Sequence, residues 1–164
     1  MDPMNNLIPS ALCIAWIKHS EGCKLEAYWD VNGYAIGYGH HGPDVTKGTV
    51  WTQEQADAAC ESDAAETAKS VQAYVKVPLS QGQFDCLVDF TYQFGAGRLA
   101  TSLLLTRLNM GNYAQVPSEL YRVDPVTGEQ KGWILVNGEP NNGLIARRKG
   151  DIVLWNGGNP LEGQ

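Results

Sequence analysis

The chain has 164 residues, 43% of them hydrophobic and 18% charged, which fits one globular unit with a core of its own. Its formal net charge of −6 opposes general binding to nucleic acid or to an anionic membrane, since both need a basic surface. No apolar run reaches the ~18 residues of a spanning helix, and residues 7–17 lack the basic start and small-residue cleavage site of a signal peptide.

Ser10 precedes the apolar-faced run ALCIAWIKHSEG and predicts a helix start, with Gly22 as its stop. Glu21 then falls in the last turn, where the helix dipole disfavours a carboxylate. A residue that breaks a local rule is a candidate functional residue. Residues 26–39 turn to aromatics, β-branched residues and glycine. They read as a hairpin: Tyr28-Trp29-Asp30, a turn on Asn32-Gly33, then Tyr34-Ala35-Ile36. A loop is expected from His40-His41-Gly42-Pro43 onward. Residues 52–55 form a capping box that opens a helix over 53–74, and Pro78 ends the stretch. A second box at 80–83 opens a helix with Phe84, Leu87, Val88 and Thr91 on one face, up to Gly95. Residues 101–110 read as one helix stopped by Gly111-Asn112, and 113–122 as a further helix interrupted by Pro117. The stretch 123–143, rich in Gly, Pro and Asn, reads as loop with a short strand pair around 133–136. Gly143-Leu144-Ile145 opens a final helix to about Trp155. The sum is α+β, mainly helical, with one small sheet near the N-terminus.

Cys13, Cys23, Cys60 and Cys86 form no CxxC pair and have no histidine at metal spacing, so they read as free thiols. His40 and His41 lack the spaced carboxylate or cysteine partners of a zinc site. The GxGxxG-like run at 37–42 follows a hairpin instead of opening a helix in a βαβ unit. No metal and no cofactor are expected. Trp51, Trp133 and Trp155 read as packing residues ahead of sugar platforms.

Glycoside hydrolysis needs a protonated carboxyl that gives its proton to the leaving oxygen. It also needs a carboxylate across the bond, as nucleophile or as base for water. Glu21 at a helix end and Asp30 on the hairpin can face each other across a cleft; a stray helix-end Glu and a turn-starting Asp are the plain alternative. The run EGCKLEAYWD at 21–30, followed by AIGYGH at 35–40, resembles the N-terminal signature of the phage-type lysozymes, glycoside hydrolase family 24. The likeness continues through 83–90, 102–104, 108–109 and 143–148.

The resemblance implies a two-lobed lysozyme-like fold in one catalytic domain over 1–164. The N-terminal lobe would span about 10–60, the connecting helix about 53–76, and the helical C-terminal lobe about 78–158. It implies a phage endolysin: a muramidase hydrolysing the β-1,4 bond between N-acetylmuramic acid and N-acetylglucosamine in bacterial peptidoglycan. Glu21 matches the family's general acid and Asp30 the carboxylate that activates water. His40 matches a histidine that is usually structural, and Arg147 a late arginine near the acid. The family's third residue, a Thr that helps hold the attacking water, is replaced by Ala35, and the loop from Asp30 is one residue shorter. Tyr34, His41 or a backbone group are the available substitutes.

An acid of this kind needs a raised pKa, for which Trp16, Tyr28, Trp29 and the Tyr38 segment offer an apolar wall. A cation at Arg147 opposes that shift, so its expected part is to fix Glu21 in place. The plain alternative makes Arg147 and Arg148 solvated helix-face charges. The missing Thr also admits a lytic transglycosylase, which needs one Glu and no positioned water. An inactive peptidoglycan-binding module is the remaining alternative. The expected partner is peptidoglycan, met by a monomer without nucleic-acid binding or stable membrane insertion. With no export signal, the chain is expected in the host cytoplasm, released to the periplasm and wall at lysis through a holin.

Overall fold

The structure is a computed structural model and describes residues 6–162. The first helix, α1 (Ala11–Glu21), starts where Ser10 accepts the Cys13 amide and ends where the Gly22 amide closes on Lys18. A three-stranded antiparallel sheet follows: β1 (Lys24–Asp30), β2 (Gly33–Gly37) and β3 (His40–His41), in that spatial order. Then come α2 (Gln53–Tyr74), opened by the Thr52/Gln55 capping box, and α3 (Gln81–Phe94), opened by Ser80/Gln83. The chain continues through α4 (Ala96–Thr101), α5 (Leu103–Asn109), a 3-10 turn (Tyr113–Gln115) and α6 (Val116–Leu120). Two ribbons, β4 (Tyr121–Val123) with β5 (Gln130–Gly132) and β6 (Leu135–Val136) with β7 (Glu139–Pro140), lead into α7 (Asn142–Trp155).

The core is centred on α3, which packs against α1, α2, α4 and α7 and buries Phe84, Leu87, Val88 and Phe90 completely. The long helix α2 offers small residues at helical spacing, Ala56, Cys60, Ala64 and Ala68, and this lets its neighbours approach closely. Among the described residues no helix is long and apolar enough to cross a membrane. All four cysteines are free; Cys13, Cys60 and Cys86 are buried and Cys23 is exposed.

Several elements differ from their expected form, each for a local reason. The hairpin turn is centred on Val31-Asn32, not Asn32-Gly33, because Gly33 begins β2 opposite Asp30. Neither central residue takes the positive φ that an Asn-Gly turn requires; Asp30 Oδ1 instead accepts the Val31 amide at 2.8 Å. His40-His41, expected to begin a loop, is the third strand. The helix expected over 101–110 is broken at Ser102, whose backbone is extended and whose hydroxyl caps α5 at Leu105; α4 precedes it. Pro117 sits in the first turn of α6, where its missing N–H costs nothing, so it starts a helix instead of interrupting one. The chain is already extended at Tyr121, and the stretch to 140 holds two ribbons where one strand pair was expected.

Candidate active site

The end of α1 is fixed by contacts that start far from it. Trp16 donates its indole N–H to Asp151 Oδ1 of α7 at 2.9 Å. The ring lies so close to α7 that a Cβ on Gly150 would stand 2.1 Å from it. This docking brings Glu21, in the last turn of α1, against Arg147, whose Nη1 donates to Glu21 Oε1 at 2.6 Å. Arg147 in turn donates Nε and Nη2 to the two oxygens of Asp89 on α3, at 2.9 and 2.8 Å. The Glu21 side chain is 24% exposed and Arg147 only 6%, while Asp89 is fully buried. Arginine's rigid fork is suited to such a two-sided clamp.

Behind Arg147 lies a second buried pair. Arg148 donates to Gln93 Oε1 at 2.8 Å, has Asp151 Oδ2 at 2.8 Å, and rests 5.0 Å from the centre of the Phe94 ring. Burial tends to raise the Asp89 pKa, but Arg147, with Arg148 behind it, outweighs burial and holds Asp89 below its ordinary 3.8. Burial and the Asp89 charge push Asp151 well above the usual carboxylate range. Arg147 and Arg148 are therefore interior groups, and the solvated helix-face reading is corrected: α7 packs this face onto α3.

The other Glu21 oxygen, Oε2, faces the turn between β2 and β3. A Cβ on Gly39 would lie 3.6 Å from it, and Gly39 holds φ +83°, a conformation that favours glycine. Glu21 thus stands between an arginine on one side and a bare backbone turn on the other. It lines a cavity of about 370 Å³ with Trp16, His19, Gln93 and Arg147. Gly39 lines another of about 370 Å³ with His41, Asp63, Glu66 and Tyr92.

Sheet register collects the remaining groups. Tyr28 is opposite Ala35, and Ala35 is opposite His41, so the three share one face; Asp30, two residues beyond Tyr28, shares it too. Burial raises the Tyr28 phenol above its ordinary pKa of 10, and the charges of Asp30 and then Glu21 add to the effect. That phenol therefore lies in the field of both carboxylates. Asp30 Oδ2 is 3.3 Å from His41 Nε2, and both side chains are about half exposed. Ala35, at 0% exposure, lies in register beside this pair. Tyr34 is paired with Trp29 on the opposite face, edge to ring at 5.2 Å, and Trp29 is 69% exposed. Trp29 therefore leaves the expected apolar wall, and Tyr34 leaves the set of substitutes for the Thr hydroxyl. Tyr38 donates its hydroxyl to Asp57 of α2 at 3.0 Å; of the other residues of the expected wall, Trp16 lines the Glu21 cavity and Tyr28 shares a strand face with Asp30.

His40 points the other way. Its Nδ1 is 2.8 Å from Asp63 on α2, its Nε2 3.5 Å from Asp44, and its ring packs against Trp51. It ties the sheet to α2. Burial lowers its pKa, but the hydrogen bond and charge of Asp63, helped by Asp44, prevail and raise it above 6.5. Protonated His40 is thus favoured by folding. Its contribution is complete below pH 6.5 and fades as pH rises through the raised value. Thermal melts of wild type and His40→Gln across this range should show a steeper loss of stability with pH in the wild type; parallel curves would refute the assignment.

Asp89, Asp151 and Asp63 were given no role from the sequence, and Arg148 was weighed only as a solvated helix-face charge. Asp85 and Asp89 sit four apart inside the apolar run of α3, and two adjacent arginines sit inside α7. Those were the available signals of a buried charge cluster. Nothing marked Asp63 among the chain's 18 acidic residues. Among the described residues, no group of three or more His, Cys, Asp or Glu is placed to hold a metal ion.

Comparison with known proteins identifies a family and related folds. The family described as Phage lysozyme matches residues 18–151. An endolysin of Bacillus phage B103 is 36% identical over 142 residues, 85% of this chain, and one of Bacillus phage PZA is 37% identical over 147 residues, 88% of it. The chain spans 50% and 53% of the lengths of those two proteins. The muramidase domain of SpmX from Asticaccaulis excentricus is similar in structure, with TM-score 0.74 and 27% identity over 89% of this chain and 95% of that one.

Proposed function

The chain belongs to the phage lysozyme family, and from that membership we propose that it is an endolysin of the muramidase type, a glycoside hydrolase. In this reading residues 1–164 act as one catalytic domain, with lobes at about 10–60 and 78–158 joined by a helix at about 53–76. The substrate is the peptidoglycan glycan strand, cut at the β-1,4 bond between N-acetylmuramic acid and N-acetylglucosamine. Glu21 gives its proton to the glycosidic oxygen as the bond from C1 breaks. A water adds to C1 and loses a proton to Asp30, leaving a free reducing end and a hydroxyl. Solvent then carries the proton from Asp30 back to Glu21. Arg147 and Asp89 position the acid, and His40 holds the sheet to α2.

The observation that carries this reading is Glu21, clamped at Oε1 by Arg147 with Oε2 facing the turn that joins β2 to β3, beside the sheet whose row of side chains carries Asp30. Mass spectrometry of digested peptidoglycan tests it: free reducing ends are expected. Products ending in 1,6-anhydro sugars would instead mark a lytic transglycosylase, the reading that the methyl of Ala35 favours. No cleavage at all would leave a peptidoglycan-binding module. In the same proposal the chain works as a monomer, without cofactor or metal, and binds neither nucleic acid nor membrane stably. It is made in the host cytoplasm and reaches the periplasm and wall at lysis, once a holin-type protein has opened the membrane.

A further inference from the structure

We propose that His41 is the water-positioning residue of this site, doing from β3 what the middle strand leaves undone at Ala35. The inference rests on the muramidase reading above. A water-activating carboxylate must be held in one orientation, and the water must be held against it. Asp30 Oδ1 is already committed to the Val31 amide at 2.8 Å. Beside its Oδ2 stands the His41 Nε2, at 3.3 Å. The carboxylate is thus held at Oδ1 by a backbone N–H from its own turn and flanked at Oδ2 by an imidazole from two strands away.

The register explains why an imidazole can do this here. Ala35 separates His41 from Tyr28 within one row of side chains, and it carries only a methyl group. A β-branched side chain at that position would stand between His41 and β1 in a spot with no exposed surface. The small residue and the imidazole that reaches past it therefore form one arrangement. His41 remains 46% exposed and lines the cavity that also holds Gly39, whose backbone borders the free oxygen of Glu21. The imidazole beside Asp30 and the backbone turn beside Glu21 Oε2 thus line one cavity. With Nε2 facing Asp30 at 3.3 Å, Nδ1 is left as a second polar atom for water or substrate.

The test is steady-state kinetics of reducing-end release from soluble peptidoglycan strands, with the full chain. His41→Ala is expected to lower kcat about 10–100-fold, as misplacement of a reacting group does, with KM within about twofold. His41→Gln, whose amide nitrogen can take the place of Nε2, should recover most of that loss. Asp30→Asn combined with His41→Ala should be little worse than Asp30→Asn alone, because both act on one water. Ala35→Thr should lower kcat and melting temperature, since it wedges the row apart. Four results would overturn the proposal: a His41→Ala kcat within twofold of wild type, a loss carried by KM, equal impairment in His41→Gln, or additive losses with Asp30→Asn. A rate gain in Ala35→Thr would overturn it as well, by showing that the site still uses a hydroxyl there. If the wild type releases no reducing ends, the muramidase reading falls and takes this assignment with it. If it does release them while His41→Ala is undiminished, only the assignment falls.

Discussion

Glu21→Gln is expected to lower glycan cleavage by at least about 10²–10⁴-fold while leaving the fold intact. The amide has no proton acidic enough to hand to a glycosidic oxygen. The loss should be chemical, because the substitution is sterically quiet. The Gln carbonyl can still accept from Arg147 Nη1, and Arg147 keeps its two bonds to Asp89. The side chain is a quarter exposed, so removing its charge strands nothing in the interior. Turbidity loss of permeabilised bacteria gives the rate, and a thermal melt checks the fold. Retention of more than about a tenth of the wild-type rate would remove Glu21 from the role of acid.

The second large effect is on stability. Arg147→Met should destabilise the chain by about 3–5 kcal/mol, the usual cost of removing one partner of a buried ion pair. Methionine fills much of the space, so the loss is electrostatic more than a packing defect. Asp89 is fully buried and its strongest bonds are the two from Arg147; without them it faces Arg148 at 3.5 Å and a nearby Asp151. At about 2–4 °C per kcal/mol for a chain of this size, the melting temperature should drop by roughly 6–20 °C. Activity, measured well below that melting point, should fall as well, since Glu21 loses the group that fixes Oε1. A drop of less than about 2 °C would mean that the Arg147–Asp89 pair does not anchor α7 to α3. Asp89→Asn with Arg147→Met removes both charges and should recover part of the loss, which separates an unpaired charge from a simple defect of shape.

Local rules were enough to read much of the secondary structure. Ser10, the Thr52/Gln55 and Ser80/Gln83 boxes and the glycine stops at Gly22 and Gly95 satisfy helix ends with atoms a few residues away, so their meaning survives without any tertiary context. Glu21 was marked as a candidate for a related reason: a carboxylate in the last turn of a helix violates a local preference, and the resemblance falls on the same residue. The misreadings lie where the chain had several local options and packing chose. Ser102 could continue a helix or cap one; burial of Leu99, Leu104 and Leu105 against the core sets the break there. His40-His41 has no strand pattern of its own and becomes a strand because β2 offers an open edge.

The site divides along the same line. The sequence by itself determined which carboxylates are eligible, that the family's Thr position holds a methyl, and that arginines lie near the end of the chain. Which of these meet is a matter of contacts between residues 58 to 135 positions apart: Arg147 with Asp89 and Glu21, Trp16 with Asp151. No periodicity records such pairs, because burial turns a charge from a solvated ornament into an anchor only when its counter-charge arrives from another element. His41 shows the point most sharply. In sequence it is one of two adjacent histidines; in the sheet, strand alternation turns His40 toward Asp63 and His41 toward Asp30. The reach past Ala35 that gives His41 its part exists only once three strands are in register.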